Sequence, residues 1–192
     1  TWIEESGFLE GPVMITNTLS VGVVRDAVIS WAVARSYDDF LWALPVVAET
    51  YDGGLNDIKG MHVTREHAFQ ALDGATTGPV AEGNVGGGTG MVCHQFKGGI
   101  GTSSRRFTVL EGGYTVGVLV QCNFGLQRHL RIAGVPIGEE ITDLASCTAA
   151  STLPSMRDGE RAPPLCRAGA VRDDSEPDRE LGSIIAVVAT DA

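Results

Sequence analysis

The stretch Leu181–Ala192, LGSIIAVVATDA, sets a Gly-Ser pair directly before a continuous apolar run. A short run of Ile, Val and Ala, opened by glycine and closed by Thr-Asp, predicts a buried strand starting at Ser183. Residues 148–181 differ: they hold four of the eight prolines, many charges including Arg157, Arg161, Asp173, Asp174 and Glu176, and no apolar periodicity. That composition predicts an exposed, disordered linker. A serine that follows a pliant linker and a glycine, and that opens an anchored strand, has the layout of a nucleophile released by chain cleavage. Cutting between Gly182 and Ser183 would leave the hydroxyl beside its own α-amine, one route to an activated nucleophile. An ordinary serine at a strand start is the alternative, and the pattern alone favours it.

Outward from this point, the chain reads as alternating elements. GPVMITN (11–17) and LPVVAET (44–50) read as strands. Between them, residues 20–36 read as a helix, with Val21, Val24, Val28, Trp31 and Ala32 on one face and Ser20 as its N-cap. Residues 64–75 read as a second helix, with Gly74 near its C-cap. Residues 78–106 carry nine glycines, which points to tight backbone conformations or close backbone approach. YTVGVLVQCN (114–123) reads as a strand buried on both faces, and HLRIAGVPI (129–137) as another. This density of strands with two amphipathic helices indicates a layered α/β or α+β domain. Three segments follow: a core over 1–147, a polar linker over 148–182 and a strand over 183–192.

Composition removes several functions. The 192 residues carry a net charge of −10 and only two lysines, Lys59 and Lys97, so a nucleic-acid surface is not expected. Apolar runs are strand-length, well short of the roughly 20 residues of a membrane helix. No secretory signal opens the stretch, although its start at Thr1 leaves a leader open. Cys93, Cys122, Cys147 and Cys166 match neither a zinc knuckle nor C-x-x-C, and are expected to be free thiols in a reduced, cytoplasmic compartment. The glycine-rich region contains no phosphate-loop or dinucleotide fingerprint. HVTREH (62–67) is one residue too long for H-x-x-E-H, and His94 and His129 stand alone, so no metal is expected. G-x-S-x-G and S-x-x-K are also absent, which leaves Ser183 as the candidate nucleophile.

Six segments taken together make the resemblance specific: GPVMITNTLSVGVVRDAV, LPVVAETYDGGLND, GPVAEGNVGGGTGMVCHQFKGGIGTSSR, YTVGVLVQCNFG, IAGVPIG and GSIIAVVATDA. In this order they resemble the self-processing aminopeptidases that include the L-aminopeptidase/D-Ala-esterase-amidases and the β-aminopeptidases. The resemblance covers nearly all of the chain outside 148–181. It implies an α+β fold, an αββα sandwich like that of the N-terminal-nucleophile hydrolases but with its own connectivity. It also implies self-cleavage between Gly182 and Ser183, then release of an N-terminal residue from a peptide, amide or ester, without metal or cofactor. GSII places the nucleophile at Ser183, and QCNFG places the oxyanion-binding amide at Asn123. AETYDG supplies Tyr51 beside the nucleophile and Glu49 for the substrate's ammonium; FLWALP supplies Trp42 as a pocket wall. Without the resemblance, the pattern favours reading Tyr51 and Trp42 as core aromatics and Asn123 as a turn residue.

The resemblance also implies sandwich strands before Thr1 and a β chain continuing past Ala192. That continuation would carry a further serine and glutamate, so residues 1–192 alone are expected to be inactive and poorly stable. The linker is longer than is usual in the family. A homo-oligomeric parent is expected. A polyamide-oligomer hydrolase of the same superfamily, and a non-catalytic fragment or pseudoenzyme, are the alternatives.

Overall fold

The computed structural model describes residues 2–9, 11–35, 44–108, 112–141 and 182–191. After a short helix α1 (Trp2–Ser6), strand β1 (Val13–Asn17) runs parallel to β2 (Val46–Thr50), in register from Val13 opposite Val46 to Asn17 opposite Thr50. Parallel neighbours need a crossover, and helix α2 (Val21–Ala34) lies within it. Its buried residues Val24, Ala27, Val28 and Ala32 follow the spacing of a single helix face. Helix α3 (Arg65–Asp73) packs beside it. Val24, Ala27 and Ala68 form a core joined by Met14 and Val47 of the two strands. Trp31 Nε1 and Arg35 both donate to Asp73 Oδ1, at 2.8 and 2.6 Å, and tie the helix ends together.

The other face of β2 meets a second sheet. Strands β3 (Val92–Cys93) and β4 (Phe96–Lys97) form a small hairpin. Strands β5 (Gly99–Phe107), β6 (Tyr114–Asn123) and β7 (Ser183–Thr190) form an antiparallel sheet in that order. Gln121 of β6 is fully buried, and its Nε2 reaches Thr50 Oγ1 of β2 at 2.6 Å, which joins the two sheets. The described residues therefore stack a helical layer on one sheet and that sheet on another. A four-residue helix α4 (Ile137–Glu140) follows β6.

Several expectations change. Residues 129–137 are not a strand: Ala133 (φ 50°) and Gly134 (φ 84°) make a tight turn, closed by reciprocal bonds of 3.0 Å between Ile132 and Val135. The apolar run had concealed a left-handed pair. The glycine-rich region yields three strands, β3, β4 and β5. Close backbone approach does explain its glycines: a side chain on Gly99 would lie 2.0 Å from the Gly83 carbonyl oxygen. Ser20 caps α2 without a side-chain bond, and Gly74 is the C-cap of α3. Strand β6 is half-buried for most of its length rather than covered on both faces. Cys93 and Cys122 are not free thiols. Their Cα atoms lie 5.6 Å apart and the sulfurs are bonded, a juxtaposition created by the β3–β6 packing and invisible in a spacing of 29 residues. Trp42 and the linker 148–181, with Cys147 and Cys166, lie outside the described residues.

Candidate active site

Strands β6 and β7 pair so that Asn123, the last residue of one, sits opposite Ser183, the first of the other. Cross-strand partners share a sheet face. Here that is the inner face, because Gln121, two residues back on β6, points toward β2. Asn123 Nδ2 donates to the Tyr51 carbonyl at 2.8 Å and to Ser183 Oγ at 3.4 Å. Asn123 Oδ1 accepts the Val92 N–H at 3.0 Å. This last bond sets the amide's orientation: a backbone N–H needs an acceptor, so Oδ1 faces Val92 and Nδ2 turns toward the serine.

Gly182 lies hard against the end of β6. An added Cβ would come within 2.6 Å of Phe124 Cβ and 2.7 Å of the Asn123 carbonyl oxygen. No side chain fits there without displacing backbone. The bond between Gly182 and Ser183 is thus pressed onto the residue that carries the amide donor.

Tyr51 enters through its backbone carbonyl. Its ring is largely exposed and lies over Gly53, where an added Cβ would meet the hydroxyl at 2.4 Å. The loop that presents it is fixed by Asp52, a buried carboxylate missed by the sequence reading. Asp52 Oδ2 accepts from Asn17 Nδ2 at 3.2 Å and Asn56 Nδ2 at 2.9 Å. A charged residue between Tyr51 and Gly53 gives no hint of burial in the sequence; only two converging amides make that burial tolerable. Glu49 stands one residue before Thr50. Strand alternation sends it to the opposite face of β2, where Thr18 Oγ1 donates to its Oε2. Ser183, Asn123 and the Tyr51 carbonyl are therefore brought together, while Glu49 is bound to Thr18 on the helical side of β2 and is not brought to them.

The histidines considered as ligands serve other ends. His67 Nδ1 accepts the Thr64 N–H at 3.1 Å at the start of α3. His62 Nε2 is 3.0 Å from Asp57 Oδ2. His94 Nδ1 is 3.1 Å from the Leu126 carbonyl. Among the described residues, no three His, Cys, Asp or Glu side chains are grouped to hold a metal.

A hydroxyl paired with an oriented amide donor, at the start of a strand and behind a sterically enforced glycine, has the geometry for acyl transfer. Peptidase family S58 matches residues 1–192. The chain belongs to peptidase family S58. A beta-peptidyl aminopeptidase, BapA, of Sphingosinicella microcystinivorans is 53% identical over 191 residues, which is 100% of this chain and 44% of that protein. The solved structure of a Burkholderia sp. beta-aminopeptidase superposes with a TM-score of 0.77 at 44% identity, over 100% of this chain and 44% of the other. The L-aminopeptidase D-Ala-esterase/amidase of Ochrobactrum anthropi, described as a variant of the Ntn hydrolase fold, gives a TM-score of 0.70 at 51% identity, over 74% and 40%. This S58 chain thus has an Ntn-hydrolase-type α+β architecture and spans less than half the length of these relatives. They favour neither a polyamide-oligomer hydrolase nor a non-catalytic protein.

Proposed function

We propose that the whole protein is an N-terminal-serine aminopeptidase or amidase, matured by cutting its own chain between Gly182 and Ser183. The contact of 3.4 Å between Asn123 Nδ2 and Ser183 Oγ carries this reading. In maturation, Ser183 Oγ adds to the Gly182 carbonyl carbon. The Ser183 nitrogen leaves with a proton, and the Gly182 acyl group becomes an ester on Oγ. Water opens the ester and leaves a Gly182 carboxylate and a Ser183 with a free α-amine.

In turnover that amine takes the Oγ proton while Oγ adds to the substrate carbonyl. Asn123 Nδ2 donates to the developing oxyanion, an interaction worth roughly 3–4 kcal/mol in comparable sites. The leaving amine departs protonated, and water releases the bound acyl group as an amino acid. Glu49 receives the substrate's ammonium, Trp42 walls the pocket and Tyr51 stands beside the nucleophile. The scheme uses only groups of the protein itself.

Peptides and amino-acid amides are the substrate class, and the names of the relatives put β-amino-acid peptides first. The remainder of the β chain completes the centre, and the parent assembles as a homo-oligomer, which sedimentation would test. A bonded Cys93–Cys122 pair fits an oxidising compartment better than the cytoplasm first expected. Mass spectrometry of the full-length protein tests the central step: two polypeptides should meet at 182/183, and Ser183→Ala should give one. A wild-type protein that stays whole would sink the proposal.

A further inference from the structure

We infer that the β3–β4 hairpin is a clamp that positions Asn123 for catalysis, with Gln95 and the Cys93–Cys122 bond as its grips. The inference rests on the reading of Asn123 given above.

Five links join this hairpin to the segment that begins at the end of β6. Cys93 is bonded to Cys122, the neighbour of Asn123. The Val92 N–H holds Asn123 Oδ1 at 3.0 Å. The His94 N–H donates to the Phe124 carbonyl at 2.7 Å, and His94 Nδ1 is 3.1 Å from the Leu126 carbonyl. Gln95 Oε1 accepts the Gln127 N–H at 3.0 Å. Phe124 is also the residue against which Gly182 is pressed. The clamp thus acts on both sides of the reaction: the amide donor and the backbone beside the nucleophile.

The turn shows where the sequence has been spent. His94 (φ 48°) and Gln95 (φ 64°) are both left-handed. Such two-residue hairpins favour Asn and Gly, and bulkier residues there carry strain. A turn needed only for folding would be served by Asn-Gly. This one keeps two side chains, and each bonds to the 124–127 segment. Both positioning residues lie outside the reacting atoms and act through Asn123, whose small displacement is enough to cost rate.

The test uses the full-length, processed enzyme and an alaninamide substrate. Gln95→Gly relieves the left-handed strain and removes the grip, so kcat should fall on the order of 10-fold with KM and melting temperature little changed. Gln95→Glu retains an acceptor oxygen and should recover most of the rate. Reduction of the Cys93–Cys122 bond in the folded enzyme should lower kcat, and reoxidation should restore it. Asn123→Ala is the reference. If it lowers kcat while Gln95→Gly and reduction do not, the clamp is wrong and the site reading stands. If Gln95→Gly lowers kcat only in step with melting temperature, the hairpin is structural and the inference fails. If Asn123→Ala leaves kcat unchanged, the site reading itself falls.

Discussion

At Gly182 a single hydrogen atom in place of a methyl group lets the backbone of the proposed scissile bond lie against Phe124 and the Asn123 carbonyl. An alanine Cβ would lie inside van der Waals contact with Phe124 and the Asn123 carbonyl, and neither is the free end of a flexible side chain. Gly182→Ala is therefore expected to slow self-cleavage of the full-length precursor strongly while leaving its fold intact, followed as the uncut band over time; cleavage at the wild-type rate would show the close approach to be irrelevant. Asn123 acts on the other side of the bond. On the proposed reading its donor serves the oxyanion rather than the resting substrate, so Asn123→Ala should reduce kcat on the order of 10²- to 10³-fold with little change in KM. Steady-state kinetics would reassign Asn123 to structure if KM alone moved. Glu49 calls for a different comparison. Its carboxylate is held by Thr18, and the proposed pairing with a substrate ammonium would be a charge-assisted bond. Glu49→Gln should weaken substrates with a free amine and spare N-acylated ones; equal losses on both would point to a packing role.

Elements differ in how plainly they were written. Helix α2 was legible because Val24, Val28 and Ala32 repeat at the helical period and are buried, and strand β6 because Tyr114–Asn123 is a nearly unbroken apolar run. The Ser183 strand and the Gly-Ser junction were legible too, although the strand is largely exposed rather than buried, and the chemistry proposed for its serine needed the resemblance, since a strand-opening serine is common. What stayed hidden lay in tertiary contact. Strand β5 reads GIGTSSRRF, small and polar, and is a strand because β6 pairs with it along its whole length. The Cys93–Cys122 bond and the buried Asp52 depend on segments far apart in sequence. The glycine-rich region is pinned to β5 in the same way, by reciprocal bonds between Gly83 and Ile100 (2.7 and 2.8 Å) and by Glu82, which accepts from the Thr102 N–H at 2.8 Å and from the Thr102 hydroxyl. These donors, the hydroxyl first, hold the Glu82 carboxyl below its usual range. A depressed folded value means the tether is complete above the ordinary carboxylate range and is lost as pH falls through the folded value. Amide exchange at Gly83 and Thr102 should accordingly quicken on acidification in wild type and vary less with pH in Glu82→Gln, once intrinsic exchange is subtracted. The same steep dependence in both proteins would remove Glu82 as the cause.

At the scale of the whole molecule, the outer face of the three-stranded sheet carries exposed apolar side chains. Val188 pairs with Val118, and Ala186 with Val120, so these side chains share one face with Ile184. Val188 is 65% exposed and Ile184 54%. Helices α2 and α3 cover the far side of the other sheet, and no described element covers this one. Burying one Val or Ile is worth about 1.5–3 kcal/mol, so two or three such residues approach the 5–15 kcal/mol margin of an ordinary domain. The chain also spans only 44% of its S. microcystinivorans relative. The αββα architecture implied by the resemblance puts a second helical layer on this face, and residues 1–192 alone are expected to bind a hydrophobic dye, melt broadly and show no amidase activity. Val188→Lys separates this from a face that is simply wet. In residues 1–192 the lysine meets water, so stability should hold and aggregation should fall. In the full-length protein the same lysine would sit beneath helices as an unpaired buried charge, and that protein should lose several kcal/mol of stability. Melting curves of both lengths, each with and without the substitution, decide the matter: if the full-length protein tolerates Val188→Lys as well as the shorter one does, no second layer covers the sheet and the sandwich ends at three.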